Sequence, residues 1–430
     1  MTRIPTLIVL TLVLMANAGL GGCATAPDNG KVTILGSWSG AEKERFDGAL
    51  AAFTKLTGIQ VEYIGTAAVG QVLESEVQKG TPPDIAVLPS PGDLARYRAE
   101  LTPLDDIVGD SWTTDYSPQW QQLAKAGMDK LYAVPVQANV KGLVWFNTKR
   151  PPRPRPNTFQ DLMTLSTALA AAGESPWCMG VSAQSTSGWP GTDWIEDVLL
   201  HQSGVDVYQK WVAGRLPWTS PQVRQAWTTW GAVVTTPGHV RGGPKAVLLT
   251  EFGDAAQPMF GDRPGCMMEH QASFIPGFYA GHKSKPRRGT DIDFFLLPPF
   301  EDAHAASRAV SADLAGVFKN TPQARALIRF LVSEQAQREW VAANAYSAST
   351  AVRPAEYGDQ IAQRIAAELT GPAPLCFDAS DLMPTAMRGA FYRAVLEYLS
   401  DPSRLDTLLQ HLDKIRGELP TEQWLTVACG

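Results

Sequence analysis

Histidine is scarce in this 430-residue chain: the six present (201, 239, 270, 282, 304 and 411) stand singly, which speaks against a mononuclear metal site. No His-Glu-x-x-His, phosphate loop or Gly-x-Gly-x-x-Gly occurs, so those metal and nucleotide motifs are missing. Gly36-Ser-Trp-Ser-Gly40 falls short of a nucleophile elbow, because Trp38 occupies the position that needs Ser. Charged residues are only 19% of the chain, under the roughly 25% of ordinary globular proteins. Lys and Arg number 37 against 43 Asp and Glu, a net charge of −6. A chain without a basic surplus is not expected to bind nucleic acid. With 44% apolar residues it is not a disordered one either. Carboxylate pairs such as Asp291/Asp293 and Asp378/Asp381 are the remaining material for a glycosidase, but the separation that mechanism needs is set by the fold. Neither catalytic residues, nor a cofactor, nor a metal is expected.

What is plentiful points elsewhere. Glycine (37) and proline (32) suggest many shaped loops on a regular scaffold. Thirteen tryptophans exceed what a core alone demands and hint at a ligand with flat faces to cover. The N-terminus has Arg3, an apolar stretch over 4–15, and then Leu20-Gly21-Gly22-Cys23. That stretch is shorter than a membrane span and reads as a secretory segment. Leu-Gly-Gly-Cys resembles the lipobox of bacterial lipoproteins, so residues 1–22 are expected to be removed, Cys23 to carry lipid, and 23–30 to tether a domain to a membrane on its extracytoplasmic side, periplasmic or cell-surface. A plain signal peptide with an incidental cysteine, or an uncleaved anchor helix, is the alternative. The other cysteines are Cys178, Cys266, Cys376 and Cys429. Their spacing fits no zinc pattern, and an even count in an exported chain favours disulfides. Three pairings are open; Cys178 with Cys266 and Cys376 with Cys429 is the expected one.

Along the chain, an apolar run at 31–35, a helical stripe through Phe46, Ala49, Leu50, Phe53 and Leu56, and alternation at 59–63 read as strand, helix, strand. A second stripe (Val69, Val72, Leu73, Val77) and a third strand at 84–88 follow. Strands alternating with helices predict a parallel sheet whose ligand lies at the strands' carboxyl ends. Residues 131–147 read as an extended segment between two lobes, and 149–156 as a cationic, proline-rich surface stretch. Helices are expected over 161–172, 193–202, 220–234 and 322–343, with a returning strand at 291–297. The fold class is α/β, with lobe 1 formed by 31–143 and 299–345, and lobe 2 by 144–298 and 346–430.

Six segments then carry a resemblance. They are Gly36-Ser-Trp-Ser-Gly-Ala-Glu42, Pro83-Asp-Ile-Ala-Val-Leu88, Tyr132-Ala-Val-Pro-Val-Gln-Ala-Asn-Val-Lys-Gly-Leu-Val-Trp-Phe-Asn147, Ser187-Gly-Trp-Pro-Gly-Thr-Asp-Trp-Ile-Glu-Asp197, Gly265-Cys-Met-Met-Glu-His-Gln-Ala-Ser-Phe274 and Phe377-Asp-Ala-Ser-Asp-Leu-Met-Pro384. In this order they resemble the extracellular sugar-binding proteins of bacterial ABC importers, the α-glucoside-binding branch in particular. The resemblance implies a periplasmic-binding-protein-like fold, two α/β lobes on a hinge, a neutral sugar in the cleft and delivery to a permease by a monomeric binder.

Sugar chemistry asks for aromatic faces against C–H groups and amides or acids against hydroxyls. Candidates at the first strand's end are Trp38, Ser39 and Glu42, although Ser39 and Glu42 also spell a helix capping box. Ser90 ends the third strand beside Gly92. Gln137 and Asn139, with Lys141 behind them, lie on the hinge strand. In the second lobe, Trp189 is the first choice for stacking, and Asp193 either binds hydroxyls or suits the dipole of a helix's first turn. His270, Gln271 and Ser273 fall where the resemblance turns a strand into the cleft, with core hydrogen bonding as the rival role. Asp313 follows the return to lobe 1. Tyr392 stands where relatives often place Trp, so ring area shrinks and a hydroxyl is gained.

Overall fold

Val32, Ile34 and Leu35 are buried on β1 (Lys31–Gly36), which pairs in parallel with β2 (Gln60–Gly65) and β3 (Ile85–Leu88). The computed structural model describes residues 30–301 and 304–430; the expected signal segment 1–22, Cys23 and the tether up to residue 29 lie outside the described residues. The helix Gly40–Thr57 follows β1 and stops at Gly58, which takes the left-handed φ of 72° that a Cβ would oppose. The alternation of strand and helix holds through β3, and there the parallel pattern ends. β8 (Arg308–Val317) returns antiparallel beside β3 and pairs on its other side with β4 (Ala133–Val140), giving the order β2-β1-β3-β8-β4. The sheet is therefore mixed, because a late segment re-enters it instead of a further crossover.

The second lobe has a smaller antiparallel sheet, β6-β5-β7 (Met268–Gln271, Leu143–Asn147, Ile292–Leu296), under the helices Phe159–Ala171, Trp189–Val212 and Pro221–Val234. Thr158 and Asp161 close a reciprocal cap on the first of these. The chain passes between lobes three times: between β4 and β5 at 141–142, between β7 and β8, and after β9 (Leu375–Phe377) at Asp378.

Two boundaries differ from the sequence-based expectation. The segment 346–430 does not sit wholly in lobe 2: β9 (Leu375–Phe377) pairs with β8, Gln360–Thr370 packs on β4, and Gly430 bonds back to Leu375. The helices Ala379–Leu382, Thr385–Ser400 and Leu405–Glu418 do join the second lobe. The helical stretch 322–343 is two helices, Pro322–Leu331 and Glu334–Ala342, because Ser333 turns extended and caps the second through its side chain. Disulfides join Cys178 to Cys266 and Cys376 to Cys429.

The tryptophans correct a further expectation. Twelve of the thirteen are buried, nine of them nearly completely, so this surplus does serve the core. Trp189 alone keeps an accessible face.

Candidate functional site

The helix Trp189–Val212 organises the space between the lobes. It starts after Gly188, where φ is 110° and a Cβ would meet the Tyr392 carbonyl oxygen at 2.4 Å. Only glycine fits there. Trp189, Asp193, Glu196, Asp197 and His201 then follow at helical spacing, so one face of the helix carries them all. The observed start makes Asp193 a second-turn residue, which removes the first-turn dipole role. An ion pair accounts for it instead. Lys141, on the first crossing segment, places Nζ 2.7 Å from Asp193 Oδ2 and 2.9 Å from Asp378 Oδ2. All three side chains are less than a tenth exposed. The same Nζ sits 5.2 Å from the centroid of the Trp189 ring.

More acids crowd this cation than it can neutralise. Glu196 Oε2 accepts from Ala379 N at 2.6 Å, and Ser380 Oγ donates to Asp378 Oδ1 at 3.0 Å. Burial followed by repulsion from Asp378 pushes Glu196 and Asp381 well above the usual carboxylate range. Asp193 is pushed up by burial too, against the pull of Lys141. Asp378 stays ionised: burial opposes its charge, but Lys141 and bonds from neighbouring acids hold it well below the usual range. Burial likewise works against the Lys141 charge, and Asp193, Asp378 and Asp381 override it. Tyr392 belongs to this cluster, its hydroxyl pushed up by burial and then by Asp381 and Asp378, with Arg388 opposing.

Lobe 1 supplies the facing wall. Register pairs Gln137 with Asp313, and Gln137 Nε2 donates to Asp313 Oδ2 at 2.7 Å. Burial pushes Asp313 up to about 7, with only partial relief from Gln137. Glu42 is raised by burial and partly offset by Arg45. Its capping box with Ser39 does not form, since no Ser39 side-chain bond reaches the helix. Trp38 is 4% exposed, enclosed by Phe46, Tyr63 and Trp340, and its side chain bonds to Asp313, so it supports the wall from behind and keeps its ring face in the core. The lobes touch where Ser90 Oγ donates to the Asp381 carbonyl at 2.5 Å and where Asp93 binds Thr385 (2.7 Å) and Arg388 (2.6 Å).

Four other candidates are engaged with the protein. Ser273 Oγ donates to Asn139 Oδ1 at 2.9 Å and accepts from Val140 N, which locks β4 to the loop after β6. Gln271 bonds through Oε1 to the next backbone amide. His270 stacks on Trp194 at 4.1 Å and reaches Asp197 Oδ2 at 2.9 Å. Trp189, by contrast, stands among half-buried rings: Phe252 at 4.9 Å and Phe274 at 6.0 Å, with Phe278 4.9 Å beyond Phe252. Sequence reasoning gave Lys141 too little weight and passed over Glu196, Asp197, Phe252 and Phe274. Glu196 and Asp197 lie three and four residues after Asp193, a spacing that already put them on its face. Among the described residues, no group of His, Cys, Asp and Glu is placed to hold a metal ion, and no helix is long and apolar enough to cross a membrane.

The family described as bacterial extracellular solute-binding protein matches residues 37–338. The alpha-glucosides-binding periplasmic protein AglE of Rhizobium meliloti is 34% identical over 390 residues, covering 87% of this chain and 84% of the relative. The osmoprotective compounds-binding protein GgtB of Synechocystis sp. is 33% identical over 405 residues, covering 92% and 95%. Among solved structures, the bacterial solute receptor AcbH, with an exclusive preference for β-D-galactopyranose, superposes with a TM-score of 0.78 at 20% identity over 90% of this chain and 99% of its own. A chitin oligosaccharide binding protein does so with a TM-score of 0.75 at 17% identity, over 90% and 98%. These two likenesses concern the fold.

Proposed function

The chain belongs to the family of bacterial extracellular solute-binding proteins, and on that premise we propose that it captures an uncharged sugar, a glucoside or short oligosaccharide, and hands it to an ABC import permease. The observation that carries this reading is Trp189, the single tryptophan left accessible, set at the head of a helix among half-buried phenylalanines and beside a cluster of acids. A sugar's C–H face stacks on such a ring, as another aromatic ring does for about 0.5–1.5 kcal/mol beyond area burial. Its hydroxyls donate to Asp313, Glu42 and Asp381, carboxyl groups whose charge burial disfavours and further donors would stabilise.

An anion is disfavoured. Lys141 is already shared by Asp193 and Asp378, and Arg388 by Asp93, so neither cation is open to a ligand's charge. The same pairing argues for a binder over an enzyme, because Asp193 and Asp378 neutralise Lys141 instead of flanking an open space. The α-glucoside-binding relative supports a glucoside. The relative that binds osmoprotective compounds favours a second reading, a small non-sugar solute in the same cleft. We assign Cys23 as the lipid attachment point that keeps a monomeric receptor at the membrane.

Calorimetry of the mature protein against methyl α-glucoside, maltose, trehalose, glycerol and glycine betaine tests both readings. Heat with a saccharide and no turnover supports the first; heat with the polyol or betaine alone moves the assignment to the second. Labelled palmitate in the wild type and not in Cys23→Ser tests the anchor.

A further inference from the structure

His201 lies three turns below Trp189 on the same helix face and is 6% exposed. Its Nδ1 is 2.9 Å from the Asp197 carbonyl oxygen and 3.0 Å from Asp197 Oδ1. Its Nε2 is 3.2 Å from the Ser307 carbonyl oxygen. Every one of these neighbours is an acceptor. A neutral imidazole would aim a lone pair at an oxygen on one side or the other, so only the doubly protonated ring satisfies both. Ser307 ends the second crossing segment, immediately before β8.

We propose that His201 is a buried imidazolium that couples cleft closure to pH, by fastening the second crossing segment to the helix whose first turns face the ligand. The inference rests on the two-lobed, hinged reading of the chain, and not on which solute it takes. The Ser307 carbonyl is shared: His201 reaches it from the second lobe, and Arg308 Nη1 donates to it at 3.0 Å from the first. The Asp197 carboxylate beside Nδ1 favours keeping the proton there, so deprotonation empties Nε2 and cuts the tie between lobes while the segment stays held by Arg308 on its own side. Asp197 serves the first crossing segment as well. Gly142, with φ of 67°, lies so close over this carboxylate that a Cβ would come within 2.4 Å of Oδ2. One ion pair thus touches two of the three connections.

The charged and titratable groups around His201 are few. Asp197 is on its own helix, and His270 of β6 donates to the far oxygen of Asp197 through Nε2. His304, on the second crossing segment, packs against Gly204. Arg308 is paired outward with Glu368, and Lys141 sits beside Gly142. Burial opposes the charge on His201, but the Asp197 carboxylate raises it above the ordinary imidazole value. The titration therefore falls above that of a free imidazole. Because the lobes are in contact in the imidazolium form, deprotonation favours opening.

X-ray scattering of the ligand-free protein across about pH 6 to 10, with an NMR titration of the His201 ring, tests this. The radius of gyration should rise in step with His201 deprotonation. The ratio of open to closed forms should change about tenfold for each unit by which its pKa differs between them. His201→Gln should be open already near neutral pH with a flat profile, whereas His304→Gln keeps the wild-type profile. A His201 ring that is neutral near pH 7, or a radius constant through its titration, overturns the proposal. If His201→Gln does not fold, the wild-type titration still decides. No ligand enters the experiment, so silence of every sugar in calorimetry would end the sugar reading and leave this one standing.

Discussion

Replacing Glu269 with Gln should stabilise the protein, and increasingly so as the pH rises. Glu269 lies on β6, 3% exposed, with its Oε2 hydrogen-bonded to the Tyr279 hydroxyl. Burial pushes the carboxyl from 4.5 up to about 8, and the Tyr279 bond opposes this only in part. Between those two values the unfolded chain releases the proton and the folded chain keeps it. Wild-type stability therefore falls by about 1.4 kcal/mol per pH unit across that window, which is on the order of 3 kcal/mol by pH 7. Gln has the same shape, still bonds to Tyr279 and has no proton to release. Urea unfolding of both proteins at about pH 5 and about pH 8 reads the effect. The variant should match the wild type near the lower pH and exceed it by roughly 3–4 kcal/mol at the upper. Parallel stability curves would refute the reasoning, since they would mean that Glu269 ionises in the folded protein as readily as in the unfolded one.

Trp189→Ala should weaken sugar binding by about 1–3 kcal/mol in calorimetry while leaving the unfolding midpoint in place; unchanged affinity removes Trp189 from the site. Asp313, raised to about 7 in the free protein, gains hydroxyl donors when a sugar binds, which favours its ionised form. Binding should then release a proton below about pH 7 and tighten as the pH rises toward that value, levelling off above it, and Asp313→Asn should flatten that slope in titrations run in buffers of different ionisation heat. Lys141→Met leaves Asp193 and Asp378 buried without their cation. It should cost about 3–5 kcal/mol near neutral pH, and less on acidification as the acids take up protons, measured by urea unfolding at two pH values.

The fold was legible where periodicity and punctuation agreed. The alternation around β1 to β3, with Gly58 as a stop, needed only local information. The antiparallel entry of β8 between β3 and β4 was not legible, because strand order depends on which surfaces remain unpaired after the second lobe is built. The break at Ser333 was written in the sequence as a capping serine inside an apolar stripe, and the stripe masked it. Among the candidates, Trp189 and Asp193 could be placed together on one helix because they follow Gly188. Trp38 could not be told from a wall residue, because a strand end adjoins both the cleft and the core. Asn139 and Ser273 looked like ligand groups since each was a polar residue among apolar neighbours. They are partners of each other, 134 residues apart, and no local pattern announces such a pair.

The long helix gives these scattered acids a common purpose. Twelve residues separate Trp189 from His201, about 18 Å of helix, and within that length the helix meets all three connections between the lobes. Asp193 holds Lys141 of the first, Glu196 holds the amide after Asp378 of the third, and His201 holds Ser307 of the second. A helix resists bending far more than loops do. On the proposed reading, a solute that presses on Trp189, or draws Asp193 away from Lys141, would move one body that is fastened to every pivot. Placing buried charge along that body is costly in stability, and a stripe of leucines would pack as well. Leucines, however, would slide where ion pairs hold register. Directional bonds keep the two ends of the helix in fixed relation, which is what the proposed coupling of cleft and hinge requires.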